Sequence, residues 1–397
     1  MKVTDVRITP PLGPRRWVLL RIDTDEGISG LGEWAPADAA SGASPARFAA
    51  LKGMLLDQDP MNINRLHHQR QPERGLWSLG GLGAGVEIAL WDIAGKALGV
   101  PLWQLLGGKL RDRVRMYCDC HGGAFWTADS FARRWRETRE TGELDPAYRV
   151  EAFVEMARRV VGEGFTCIKF DADFASPWKM DVYDRSIAPR EGEQIVKAME
   201  AVREAIGPHV DLALDLHGAY NTPDALQLCR QLEGLNLLWI EDPVRWEWGN
   251  VDAMVKICEQ SRVPICTGEL LYGAKQHREL IVKQACDLLE PDIPRSGGPI
   301  EIRRIAELAE MYYMSIAPHN MTSTVTAIAA AHICATLPNF LALEYHSHDI
   351  PLWSEMLDLK DPIQEGYIRV PDAPGLGVAL DEGAIAAALP DRVPLWS

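Results

Sequence analysis

The first 34 residues alternate apolar and polar positions. VTDVRITP, WVLLRIDTDEG and GLGEW are three such stretches, with Asp25-Glu26-Gly27 as a turn signal between two of them. This spacing predicts an antiparallel hairpin or meander. Over residues 45–108 the period becomes helical. GVEIALWDIAGKALG carries apolar residues at helical spacing, ends on a glycine and is followed by Pro101, a helix with its stop signal. Together these stretches predict an α+β N-terminal domain over residues 1–112.

From Arg113 onward, short apolar runs alternate with helical patterns. VRMYCDC, TCIKFDADF, DLALDLHG, LLWIEDP, VPICTGEL, DLLEPDI, MSIAPHN and FLALEYH read as strands. Segments such as EAFVEMARRVVGEG and PIEIRRIAELAEMY separate them as helices. Strands alternating with helices imply parallel pairing and right-handed crossovers. Eight of them predict an α/β fold, a (β/α)8 barrel over residues 113–364. The tail, 365–397, returns to short β-like pieces and is expected to pack back on the N-terminal domain. Two stretches break the period, 121–148 and 174–190. Both follow a strand and so belong to the face where such barrels keep their chemistry. A substrate lid and a solvated or oligomer-contact excursion are both open readings of them.

Composition narrows the classes. A chain of 397 residues, 47% hydrophobic and 24% charged, is long enough for two domains and a sizeable core. A formal net charge of −15 argues against nucleic acid and against a membrane surface as partners. MKVTDVRITPP has no signal-peptide character, and no apolar run reaches 18 residues. The eight cysteines are dispersed. Cys118 and Cys120 are the only close pair and read as alternation along a strand. These features point to a reducing cytoplasm.

The strand ends carry the candidate chemistry. Asp215, Glu241, Glu269, Asp292, His319 and Glu344 follow one another at intervals of 26, 28, 23, 27 and 25 residues. That is about one strand plus one helix. Each therefore stands at the C-terminal mouth of a successive strand. Any one of these acids alone would read as a surface or salt-bridged carboxylate. Three on consecutive strands, Asp215, Glu241 and Glu269, form a hard oxygen set that suits Mg²⁺. Asp292, one βα unit before His319, can fix the tautomer of that imidazole and make it a general base. His217, two residues after Asp215, shares its face. It is a candidate general acid, or an outer hydrogen-bond partner of a metal ligand. Lys169 could contact a substrate carboxylate or pair with Asp171 or Asp215. Glu344 could orient substrate.

These pieces, in order, resemble the enolase superfamily, in its mandelate racemase-type subgroup. The matching segments are VEIALWDIAGKALGVPLWQLLGG, DLHG, WIEDP, TGEL, PDIPRSGG, APHN and PDAPGLGV, spread over nearly the whole length. The resemblance implies a capping domain over the barrel, Mg²⁺ on Asp215, Glu241 and Glu269, and abstraction of the proton α to a carboxylate to give a metal-stabilised enediolate. An α-proton beside an ionised carboxylate is very weakly acidic, which is why such a step needs a divalent ion.

Departures from the family pattern choose the branch. Mandelate racemase-like members carry Lys-x-Lys after the second strand. Here the tripeptide is Lys169-Phe170-Asp171, whereas Asp215-Leu216-His217 gives Asp-x-His after the third. This is similar to the acid-sugar dehydratases acting on galactonate, gluconate or mannonate. By that resemblance His319 takes the C2 proton, His217 protonates the departing C3 hydroxyl, and the product is a 2-keto-3-deoxy sugar acid. Racemisation, epimerisation or cycloisomerisation through the same enediolate is the first alternative; a catalytically silent metal-binding scaffold is the second. Specificity for the small-molecule sugar acid is expected from the loops around Pro11–Trp17 and Trp34–Ser44, with Trp34 at the substrate, and from the 121–148 insert. The arginines at 133–139 could bind a distal carboxylate or form a solvated helix face. The family habit implies a homo-oligomer.

Overall fold

The computed structural model describes residues 1–34, 45–68, 81–122, 128–179, 181, 183–246, 251–390 and 392–397. The N-terminal alternation forms an antiparallel meander of β1 (Val3–Ile8), β2 (Val18–Thr24) and β3 (Ser29–Trp34). Val18, Leu20 and Ile22 occupy alternate positions of β2 and join Val86, Leu90 and Ile93 of the helix Gly81–Leu98 in one core. Strand β3 lies directly on that helix. A Cβ on Gly32 would overlap the carbonyl oxygen of Gly85, so the approach requires glycine there.

The next eight strands are β4 (Arg113–Asp119), β5 (Cys167–Asp171), β6 (Asp211–Asp215), β7 (Trp239–Glu241), β8 (Ile265–Thr267), β9 (Leu288–Leu289), β10 (Ser315–Ile316) and β11 (Leu343–Tyr345). They pair in parallel in sequence order from β4 to β10, and β11 returns to pair with β4. The Ile316–Phe340 bridge and the Leu341 N–H to Ile316 C=O bond complete the circuit. The predicted (β/α)8 barrel is therefore present strand for strand. The intervening helix Val150–Gly162 buries one apolar stripe through Phe153, Ala157 and Val160, whereas Thr324–Thr336 is buried on all sides.

The lumen is layered. Tyr117, Cys167, Ala213, Trp239, Leu288, Ala317 and Ala342 form a buried inner cluster. Two residues further along the same strands come Asp119, Lys169, Asp215, Glu241, Glu290, His319 and Glu344. A period of two keeps both sets on the inward face. The lower lumen is apolar and the upper lumen is ionisable, and that division positions the site.

The C-terminal residues reach both domains. β12 (Ile363–Gln364) and β13 (Tyr367–Arg369) form a hairpin whose β13 pairs antiparallel with the start of β4. Further on, Leu376 N–H donates to Asp92 of the N-terminal domain, and Ser397 exchanges two backbone hydrogen bonds with Ile8.

Buried acids fasten the N-terminal domain to the barrel. Glu33 accepts from the backbone N–H and the hydroxyl of Ser323, at the N-terminus of the helix Thr324–Thr336. Glu87 accepts from Ile300 N–H and from His67 Nδ1, at 2.6 Å, while His67 Nε2 lies 3.3 Å from Glu301 of the barrel. Arg304 pairs with Glu301 and also donates to His68. Burial alone would lower the His67 pKa. Its contacts with Glu301 and Glu87 outweigh that and raise it to about 9.

A group whose pKa is raised on folding stabilises fully below its unfolded value and loses that contribution as pH rises through the folded one. The His67 clamp should thus contribute on the order of 3 kcal/mol near pH 6 and fade as pH approaches and passes about 9. Denaturant melts of the wild type and His67→Gln between pH 6 and 9.5 read this directly. The gap between the two is expected to narrow with rising pH, and a pH-independent gap would contradict the assignment.

Candidate active site

Asp215 closes β6 and Glu241 closes β7. The two are register partners, and Glu241 accepts from Trp239 Nε1 at 2.9 Å. Lys169, on β5, is the buried cation among them. Its Nζ lies 2.7 Å from Glu241 Oε1, 3.4 Å from Asp215 Oδ2 and 2.9 Å from Glu344 Oε1. The contact with Glu344 has the distance of an ion pair without the angle of a hydrogen bond. Of the pairings expected for Lys169, Asp215 is met; Glu241 and Glu344 are added.

One ammonium does not neutralise this lumen. Burial and the neighbouring Asp215 push the Glu241 pKa well above the carboxylate range. Burial, with Glu241 and Asp242 nearby, does the same to Glu290, and both of its oxygens are buried without a hydrogen-bond partner. Lys169 shows the converse. Burial would lower its pKa, yet Glu241, Glu344 and Asp215 raise it well above its ordinary value. Such an excess of buried oxygen donors over cations fits a divalent ion. Asp171, Asp215 and His217 also offer ligand atoms within 4.8 Å of one another. Glu269, which follows β8, has Oε2 3.0 Å from His319 Nε2.

His319 follows β10. Its Nδ1 donates to Asp292 Oδ2 at 2.7 Å, and its Nε2 lies 3.5 Å from Glu344 Oε2 as well as near Glu269. Burial would lower its pKa, but Glu269, Glu344 and Asp292 raise it well above the imidazole value. Asp292 also caps the short helix Ile293–Ser296 by accepting from Arg295 N–H. The cap fixes the carboxylate that fixes the ring.

His217 reaches the site by a turn. The strand ends at Asp215, whose Oδ1 accepts from His217 N–H, and His217 adopts a left-handed φ of 42°. Its Nδ1 lies 2.9 Å from Asp173 Oδ1 and its Nε2 3.4 Å from Asp215 Oδ2. The ring is a quarter exposed, more open than His319. Beside it lies a pocket of about 140 Å³ lined in part by Trp135, Lys179, Tyr220 and Arg245. Trp135 comes from the helix Ala128–Thr141, which fills part of the 121–148 excursion. Arg133 and Arg136, on the same helix, are exposed, and Arg139 donates to Lys179 C=O.

Two further histidines stand at the mouth with both ring nitrogens engaged. His121 Nδ1 accepts from Asp171 N–H, and its ring also bonds to the Ala147 backbone. His346 Nδ1 accepts from Arg15 at 2.6 Å, since a guanidinium can only donate; its Nε2–H then faces Asp119 Oδ2 at 3.2 Å. Asp119 and His346 escaped the sequence reading. Each lies two residues beyond an inward position, Tyr117 and Glu344, so the alternation that paired Asp215 with His217 would have found them. Trp34, expected at the substrate, is fully buried in the N-terminal core. Adjacent strand residues face opposite sides, and it is Glu33 that points to the barrel.

Lys169→Met would leave Glu241, Glu344 and Asp215 buried around an uncharged side chain. It is expected to cost about 3–5 kcal/mol, read as a fall in unfolding free energy in denaturant. A loss below about 1 kcal/mol would mean the acids neutralise themselves by taking up protons.

Comparison with known proteins places this geometry. Residues 11–107 match the family model of the mandelate racemase / muconate lactonizing enzyme N-terminal domain, and residues 152–384 match the enolase C-terminal domain-like family. D-xylonate dehydratase of Haloferax volcanii is 38% identical over 100% of this chain and 90% of its own length. D-galactonate dehydratase of Variovorax paradoxus is 30% identical over 100% of this chain and 97% of its own. A crystal structure of a mandelate racemase/muconate lactonizing enzyme-like protein from Rubrobacter xylanophilus superposes with a TM-score of 0.87 at 34% identity, covering 100% of this chain and 99% of that one. A layered barrel with acids on successive strand ends, capped by an N-terminal domain and matched by both family models, identifies the chain as a member of the enolase superfamily, in its mandelate racemase / muconate lactonizing enzyme group.

Proposed function

We propose that this enzyme is a Mg²⁺-dependent dehydratase of a sugar acid, converting it to the 2-keto-3-deoxy acid. The observation that carries the reading is the arrangement of histidines. Of the four at the barrel mouth, His121 and His346 have both nitrogens engaged elsewhere, while His319 and His217 each turn Nε2 toward the central acids. Two proton-handling groups on different strands are what an elimination needs, one to take a proton and one to give one. The dehydratase names of the relatives support the same reaction, and the names D-xylonate and D-galactonate support an aldonate substrate.

Asp215, Glu241 and Glu269 are the residues we assign to Mg²⁺. When bound, the ion supplies positive charge for the substrate carboxylate as negative charge builds on it. Lys169, already the counter-charge to Glu241 and Glu344, would stabilise the same carboxylate from the β5 side. In its neutral form, with Nδ1–H held by Asp292, His319 would take the proton from C2 at Nε2. The C2–H pair moves into the enediolate. As that collapses, the C3–O bond breaks, and His217 delivers a proton to the leaving oxygen so that it departs as water. Tautomerisation of the enol gives the ketone. Glu344, which accepts from Asn320 N–H, stands beside both Lys169 and His319 and would orient the substrate between them.

Purified enzyme with Mg²⁺ and a panel of aldonates and aldarates tests this in D₂O. Wild type is expected to yield the keto-deoxy product. His319→Asn is expected to lose both product and C2 exchange by at least about 100-fold. His217→Asn is expected to lose product while still exchanging the C2 proton. Exchange with an isomer as product would replace dehydration by racemisation or epimerisation. Full dehydration by His217→Asn would remove that residue from the acid role.

A further inference from the structure

Among the described residues of the N-terminal domain, Arg15 reaches the barrel mouth. Arg15 lies in the segment between β1 and β2, whose ends are tied by the Leu12–Trp17 backbone bonds. It is 8% exposed. Its Nη2 donates to His346 Nδ1 at 2.6 Å, and its Nη1 lies 3.3 Å from Met321 Sδ, two residues beyond His319. The guanidinium also feels the charges of Asp119, Glu344 and Asp171. It therefore stands over the side of the mouth formed by β4, β5 and β11.

One feature of this arginine is incomplete as structure. Its Nε–H is buried and has no acceptor. A buried unsatisfied donor is costly and calls for a partner. Its charge, by contrast, is answered. Arg15 donates to the neutral His346, which donates to Asp119, so the counter-ion is one imidazole away. What the guanidinium lacks is an acceptor atom, not an anion. The neighbourhood already holds Asp119, Asp171 and Glu344, and a second carboxylate brought there would meet all three.

We propose that Arg15 binds the substrate through a hydroxyl beyond C3, and that this selects monocarboxylate sugar acids with a hydroxylated tail over dicarboxylates. His346 and Asp119 are positioning residues, acting through the guanidinium they hold. This rests on the sugar-acid reading above and assigns a residue and a selectivity to the same site.

The test compares, on one enzyme preparation with Mg²⁺, kcat/KM for an aldonate, for its analogues lacking a single hydroxyl beyond C3, and for the matching aldarate. The ratio between two substrates does not depend on how much of the preparation is active, so partial misfolding of a variant cannot mimic the effect. Wild type should prefer the aldonate over one of the deoxy analogues by about 10–100-fold, the range of a charge-assisted hydrogen bond. Arg15→Met should bring that ratio close to one. Arg15→Lys should keep part of it, and His346→Phe should reduce it through KM more than through kcat. Calorimetric binding of the same acids provides a readout without turnover. A preference left intact in Arg15→Met, or an aldarate preferred by wild type, overturns the inference while the dehydratase reading stands. Wild type that neither binds nor turns over any sugar acid ends both.

Discussion

Buried negative charge has to be answered within the barrel. Asp119, Asp171, Asp215, Glu241, Glu290 and Glu344 share the upper lumen, walled by apolar strands and helices. Taking even one unpaired carboxylate out of water costs several kcal/mol, so a lumen of this kind folds only if its charges are paired, protonated or met by a metal. Lys169 meets three acids at once. The raised values of Glu241 and Glu290 show what remains. Oxygen ligands in excess of cations are what a divalent ion would balance.

The N-terminal domain is held by related means. Glu33, Glu87 and Asp92 are each fully buried, and each accepts hydrogen bonds from the barrel or from the C-terminal segment. Acids of this kind specify geometry more than they add stability, because a hydrogen-bonded carboxylate tolerates little displacement. The contact of Gly32 with Gly85 sets β3 against its helix. A rigidly seated cap matters because Arg15 belongs to it. A guanidinium that must meet the mouth within a hydrogen-bond length cannot ride on a domain free to rock.

Much of this was legible in the sequence because its signals are periodic. Strand-plus-helix spacing revealed eight strands and, at their ends, Asp215, Glu241, Glu269, Asp292, His319 and Glu344. The Asp292–His319 pair was legible because a single βα unit separates them. What failed to show has physical reasons. In CDC the cysteines drew the reading and Asp119 went unnoticed. In FLALEYH the strand-plus-helix spacing singles out Glu344, although the inward face continues to His346. On β3 two glycines blur the alternation, so sequence alone does not say whether Glu33 or Trp34 turns to the barrel. Arg15 lies in a loop without a period, and only the fold brings it near residues some three hundred positions away.

The histidines carry the argument one step further. A histidine at a strand end is common enough to mean little by itself; what each can do is decided by the partner on its other nitrogen. A carboxylate on Nδ1, as at His319 and His217, orients the ring and leaves Nε2 directed at the site. A guanidinium on Nδ1, as at His346, forces the opposite tautomer and commits Nε2–H to Asp119. One residue type at one barrel mouth is thus left open at Nε2 or tied at both nitrogens, depending on whether an acid or a base stands behind it. The arginine that takes His346 out of proton transfer is the same one whose Nε–H still lacks an acceptor, so the tied imidazole and the incomplete donor belong to a single device.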